Sequence, residues 1–136
     1  MENQYDEASA SGYSRAARIL LVGWGVLCCA WNAYGAAQIA SGRPALGPTA
    51  TFAGAGVALV LAILFVVTFN RWPRVYKTLA ILAALLAVVT IWNAFMLDPS
   101  LWISEAWRWA GVLLNAIGAI AATTAVVASS HETKVT

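Results

Sequence analysis

Four uncharged apolar stretches, each about 20 residues long, occupy most of this chain and leave it few ways to fold. They run over 19–40, 49–69, 78–97 and 109–130. A helix rises about 1.5 Å per residue, so roughly 20 residues cross a hydrocarbon layer about 30 Å thick. Inside lipid every backbone amide must be satisfied within the protein, which permits helices or a closed barrel. Barrel strands alternate apolar and polar residues over about ten positions, and these stretches do not alternate. Hydrophobic residues make up 61% of the 136-residue chain and charged residues 10%, too few polar groups to clothe a soluble domain. The expected architecture is an all-α integral membrane protein: a four-transmembrane-helix bundle with approximate spans 18–40, 49–69, 75–97 and 106–128.

The first stretch is expected to be a retained helix rather than a cleaved signal. Its apolar run is long, Glu2, Asp6 and Glu7 precede it, and Gln38 stands where a cleavage site wants a small residue. Residues 1–16 are expected as a mobile tail, followed by a membrane domain over 17–130 and a C-terminal tail over 131–136. With four spans, both termini and the middle loop share one side. That side carries Arg15, Arg18, Arg71, Arg74, Lys77 and Lys134, whereas the other carries Arg43 and Arg108. Basic residues are retained on the cytoplasmic face, so both termini are expected in the cytoplasm and the protein in the cell (plasma or inner) membrane. The same scatter of basic residues over loops argues against nucleic-acid binding, which wants a clustered basic face.

Connections between the stretches are short and carry Gly or Pro, which end helices. Ser41-Gly42-Arg43-Pro44 through Pro48 turns on the outside and Asn70-Arg71-Trp72-Pro73-Arg74 on the inside. The third connection, 98–105, is amphipathic and is expected to form a short interfacial turn before Ser104 caps the last helix. Trp102, Trp107 and Trp109 at one boundary and Trp72 at the other suit an aromatic belt. Small residues fall in stripes that allow backbones to approach, as helix association in lipid requires. These are Gly23, Ala30, Ala33, Ala37 and Ala40; Ala50, Gly54, Ala58 and Ala62; Ala80, Ala83, Ala87, Thr90 and Ala94; and Gly111, Asn115, Gly118, Ala122 and Ala125. Leu, Ile, Val and Phe are then expected to face lipid.

Chemistry inside the spans is sparse. No Asp, Glu, Lys, Arg or His lies in the middle of a stretch, and such residues mark proton relays and ion pathways. A proton-coupled exporter of the small multidrug type needs a carboxylate in its first helix, where this chain offers Cys28, Cys29, Asn32 and Gln38. Cys28 and Cys29 point about 100° apart on a helix and have no further ligands beside them. The single histidine, His131, belongs to the polar tail. No catalytic residue, metal ligand or cofactor is expected.

Polar groups recur in one pattern. Trp31-Asn32-Ala33-Tyr34 on the first helix is echoed by Trp92-Asn93-Ala94-Phe95 on the third. A duplicated unit with this spacing would consist of two parallel two-helix repeats related by an axis along the membrane normal. Asn32, Asn93 and Asn115 all fall in the outer half of the membrane, with Trp31, Tyr34, Trp92 and Phe95 nearby. Two readings follow. The amides cross-link the two hairpins, because interhelical Asn hydrogen bonds are common bundle glue. Alternatively, amides and rings line a pocket for a lipid, quinone, pigment or other amphipathic molecule. The first makes the protein a non-enzymatic structural, assembly or accessory subunit, expected to associate with a membrane-protein partner or a second copy. The second makes it a binder or carrier of an apolar molecule. A third, a dimeric small-solute transporter, would have to work without a proton relay.

Overall fold

Helix ends fall where capping or breaking residues stand. The computed structural model describes the backbone of residues 2–132 and the side chains of residues 15–128. The four helices are α1 (Glu2–Ala40), α2 (Phe52–Thr68), α3 (Pro73–Met96) and α4 (Glu105–Glu132), with a 3-10 turn, Pro99–Leu101, before α4. Gly42, at φ 68°, closes α1: its N–H donates to the Ile39 carbonyl at 3.0 Å and that of Arg43 to Gln38 at 2.9 Å. This is the Schellman pattern, whose left-handed residue favours glycine. Thr51 opens α2 from an extended backbone, its Oγ1 accepting from the Gly54 N–H at 2.9 Å. Pro73 opens α3, where its missing N–H costs nothing. Asp98 starts the 3-10 turn by accepting from the Ser100 N–H at 2.9 Å. Hydrogen bonds from the Ser100 backbone and side chain hold the Asp98 carboxyl below the usual carboxylate range.

Three helical segments, Arg15–Ala40, Pro73–Met96 and Glu105–Ala128, are long and apolar enough to cross a membrane. The fourth, Phe52–Thr68, has 17 residues, or about 25 Å. It is shorter than the expected 49–69 because the Thr51 cap starts it late and the turn before Pro73 ends it early. At the other extreme, α1 begins at Glu2, so the backbone of 2–16 continues the helix where a tail is expected. No proline interrupts that segment. Of the expected C-terminal tail, 131–132 belong to α4 and 133–136 lie outside the described residues.

α1 pairs with α2 and α3 with α4 as antiparallel hairpins, and α1 also packs along α4, whereas α2 and α3 make little contact. The α1–α4 seam has a simple basis. Trp24 and Trp31 lie two helical turns apart on α1, and Gly118 and Gly111 lie two turns apart on the antiparallel α4. The Trp24 indole occupies the space where a Gly118 side chain would begin, and Trp31 Cζ2 lies 3.3 Å from the corresponding position at Gly111. Toward the end of the bundle that holds the α2–α3 turn, Ala17, Leu21, Ala121, Ala122 and Ala125 continue the buried face. Phe65, Phe69 and Tyr76 form an edge-to-face cluster there, with the Arg18 guanidinium 4.7 Å from the Phe69 ring centroid.

Three of the four small-residue stripes face the interior: Ala58 and Ala62 on α2, Ala80, Ala83, Ala87 and Ala94 on α3, and Asn115, Ala122 and Ala125 on α4 are buried. The α1 stripe does not. Gly23, Ala30, Ala37 and Ala40 are exposed, and the buried face is instead Ala17, Leu21, Trp24, Cys28 and Ala36. Glycine-matched tryptophans, rather than small-on-small contact, set the α1–α4 spacing. Large aliphatics face outward as expected; Ile19, Leu27, Val57, Leu85 and Ile120 are all more than half exposed. Among the boundary tryptophans, Trp72, Trp107 and Trp109 are exposed, but Trp102 is buried. It is drawn in by the bridge between Ala45 and Trp102, where the Ile103 N–H donates to the Ala45 carbonyl.

Adding one methyl at the seam should therefore be costly. Gly118→Ala is expected to lower stability by about 1–3 kcal/mol, the usual penalty of overpacking, read as thermal loss of helical circular dichroism in mild detergent. The penalty should shrink in a Trp24→Phe background, because the indole it collides with is gone.

Candidate ligand-binding cleft

Because α2 and α3 diverge while α1 and α4 close up, the bundle has a cleft of about 280 Å³. From α1 it is walled by Trp24, Cys28, Trp31 and Asn32, a single stripe at helical spacing. Opposite stand Thr51, Gly54, Val57, Ala58 and Leu61 of α2, and Leu86 and Thr90 of α3. Leu114 and Asn115 of α4 complete the wall. Val57 and Leu86, with Thr49, Thr51 and Thr90, are the exposed members of the lining.

The lining is graded. Asn32, Thr49, Thr51 and Thr90 gather toward the α1–α2 and α3–α4 connections, while Leu61 and Trp24 lie deeper. Asn115 sits between Gly111 and Gly118, and hence at a level between Trp31 and Trp24. Among the described residues, no acidic, basic or histidine side chain lines the cleft. Each amide is anchored to its own helix. Asn32 Nδ2 donates to the Cys28 carbonyl and Asn115 Nδ2 to the Gly111 carbonyl, both at 2.9 Å. Across the α1–α2 interface, Asn32 Oδ1 accepts from the Thr51 N–H at 3.4 Å. Cross-linking of the hairpins by Asn32 and Asn93 is not what forms.

Asn93 lies in a separate niche of about 40 Å³ with Trp102, Arg108, Thr49 and Thr90, the two threonines lining both spaces. Arg108 is held by Glu105 at 2.7 Å and reaches toward the Ala94 carbonyl at 3.4 Å. Of the seven residues singled out from the sequence, Asn32, Asn115 and Trp31 line the cleft and Asn93 borders it. Tyr34, Trp92 and Phe95 are exposed on the outer surface, Phe95 against Trp109 with ring centroids 5.6 Å apart. Thr49, Thr51, Thr90, Cys28 and Trp24 belong to the cleft without having been singled out. Trp24 and Cys28 share the helical face of Trp31 and Asn32, a periodicity that points to them. The threonines carry no comparable signal, because the loop and the α2–α3 gap bring them in. Among the described residues no three His, Cys, Asp or Glu side chains converge to hold a metal ion.

Comparison of the chain with protein-family models, with characterised proteins and with solved structures finds no match.

The cleft's outer wall depends on a missing Cβ. At Gly54 a Cβ would stand 2.8 Å from Asn32 Oδ1 and 3.1 Å from Thr51 Oγ1, whereas at Gly56, half a turn away, it would meet nothing within 4 Å. Gly56→Ala is expected to be neutral or to stabilise by up to about 1 kcal/mol through helix propensity. Gly54→Ala should destabilise despite the same propensity gain. Thermal midpoints of the two variants in one detergent compare them directly; equal midpoints would contradict the packing described.

Proposed function

We propose that this chain is a four-span integral protein of the cell membrane, both termini cytoplasmic, that binds an apolar or amphipathic small molecule in the cleft between α2 and α3. One observation carries the reading: a space lined by Asn32 and three threonines toward the connections, by Asn115 at mid-depth and otherwise by Leu, Val, Ala and Trp, with exposed residues of α2 and α3 among its walls. Ligand sites are concave, mostly apolar and marked by a few placed polar groups. An opening between helices lets a molecule dissolved in the bilayer enter sideways. The function is binding rather than catalysis, since the lining supplies no base beside the one thiol, Cys28.

The competing role, a structural, assembly or accessory subunit, draws its support from the missing ionisable core and the small-residue seams, and from amides that join helices. Here both buried-side amides bond carbonyls one turn back on their own helix. Asn32 Oδ1 also accepts from the Thr51 N–H, so the capacity left for a ligand is chiefly that of Asn115, which lines the cleft and supports the binding reading.

Membrane orientation rests on charge. The start of the apolar segment Arg15–Ala40 and the α2–α3 turn with the first residues of α3 carry Arg15, Arg18, Arg71, Arg74 and Lys77, against Arg43 and a Glu105-paired Arg108 at the other end. α2, at about 25 Å, spans by modest thinning of the bilayer or by drawing in its flanking residues. In a variant lacking Cys28 and Cys29, an impermeant thiol reagent applied to intact cells should label Ser41→Cys and spare Asn70→Cys. The opposite pattern inverts the topology.

The binding role makes a separate prediction. Protein purified in mild detergent should carry a near-stoichiometric lipid-soluble species, detectable by mass spectrometry of an organic extract. Asn32→Leu with Asn115→Leu should deplete it, while Asn93→Leu, outside the cleft, should not. An extract unchanged by the double substitution would remove the cleft as the site.

A further inference from the structure

We infer that the ligand of this cleft is an uncharged amphiphile whose head is a hydroxyl group, a lipid alcohol, held between Asn115 and Asn32. The inference rests on the binding role proposed above and adds the chemistry of the head.

The hydrogen-bond inventory of the cleft leads there. Asn115 is buried, with 6% of its surface exposed. Its Nδ2 is identified by donation to the Gly111 carbonyl, so its other terminal atom is the oxygen, and Oδ1 accepts no hydrogen bond among the described residues. The side-chain polar atoms there that are both sealed and unpartnered are Trp24 Nε1 and Tyr76 OH. Asn115 Oδ1 is not one of them and is reachable from the cleft that Asn115 lines. A primary amide has two N–H donors. Asn32 and Asn115 each spend one on a backbone carbonyl, leaving one on each for a ligand. Thr90 donates to the Leu86 carbonyl at 2.9 Å and keeps its lone pairs. Among the described lining groups, Asn115 Oδ1 is the unpartnered amide acceptor on a buried residue, whereas the threonine hydroxyls stand on exposed residues nearer the connections.

A hydroxyl is the smallest neutral group that satisfies both, donating to Asn115 Oδ1 while accepting from an amide N–H. An ester or quinone carbonyl only accepts and would leave Asn115 Oδ1 desolvated without a donor, which is costly in a low-dielectric interior. A carboxylate or phosphate would also need a counter-charge, and no basic residue lines the cleft. The nearest guanidinium, Arg108, lies in the neighbouring niche and is bound to Glu105. An ammonium head would find no carboxylate. From a hydroxyl at this level, the apolar chain lies against Leu114 and Leu61 and leaves between Val57 and Leu86.

The test uses the purified full chain in nanodiscs with a diazirine-bearing hexadecanol as photoprobe. Competition by unlabelled hexadecanol, methyl palmitate and palmitate is read as loss of crosslinked peptide by mass spectrometry. Crosslinks should map to α2 and α3 residues of the cleft. Hexadecanol should compete about tenfold better than methyl palmitate, the worth of one buried hydrogen bond, and palmitate should compete worst. In Asn115→Leu the gap between alcohol and ester should close while ester competition persists; Asn115→Val gives the same readout if the leucine variant folds poorly. Equal competition by alcohol and ester in the unsubstituted protein, or a preference for palmitate, overturns the hydroxyl assignment and leaves a ligand cleft standing. Crosslinking that no competitor reduces overturns the binding role itself.

Discussion

Everything in this bundle depends on how close α4 can come to α1, and that distance is set by two glycines under two tryptophans. Gly118 and Gly111 have no Cβ where the Trp24 and Trp31 rings lie, so a large flat side chain fits between two backbones that would otherwise be held apart. On the proposed membrane placement there is no hydrophobic drive to bring helices together, and dispersion over close contacts must suffice. Two indoles packed against a helix backbone supply much contact area at once. The seam has a cost: the Trp24 indole N–H is turned to Gly118 and finds no acceptor.

The same offset that relates Trp31 to Trp92 relates Val57 to Gly118 and Ala50 to Gly111. If the two hairpins were true copies around an axis along the membrane normal, α2 and α3 would meet as α1 and α4 do. They do not, because Val57 carries a branched side chain where Gly118 carries none, and Leu85 and Trp92 turn to the surface where Trp24 and Trp31 turn inward. The bundle closes on one side and opens on the other. The cleft is the consequence of that broken symmetry, and the repeated tetrad ends in two different environments.

Within the cleft, polarity is arranged locally before it is arranged across helices. Asn32 and Asn115 each bond a carbonyl one turn back, as Thr68, Thr90, Thr123 and Thr124 also do. A side chain that can satisfy part of its capacity on its own helix does not need a partner helix to be tolerated in an apolar surrounding. What remains unsatisfied then points where space is left, and the space is the α2–α3 gap.

Apolar runs of helical length dictated the helices and their outward-facing aliphatics, since backbone satisfaction and side-chain transfer depend on local composition. Turn residues such as Gly42, Thr51 and Pro73 placed most of their ends, because caps act within one turn. Small-residue spacing identified the inward faces of α2, α3 and α4. On α1 it misled, because the face that packs there is chosen by Trp24 and Trp31, whose burial depends on glycines some ninety residues away in the sequence. The fate of the three asparagines was likewise decided only by tertiary structure. Two meet the cleft and one lies beside Arg108, a difference set by how each helix is rotated about its axis. Rotation follows from the sum of packing against two neighbours, and no single segment of sequence contains both.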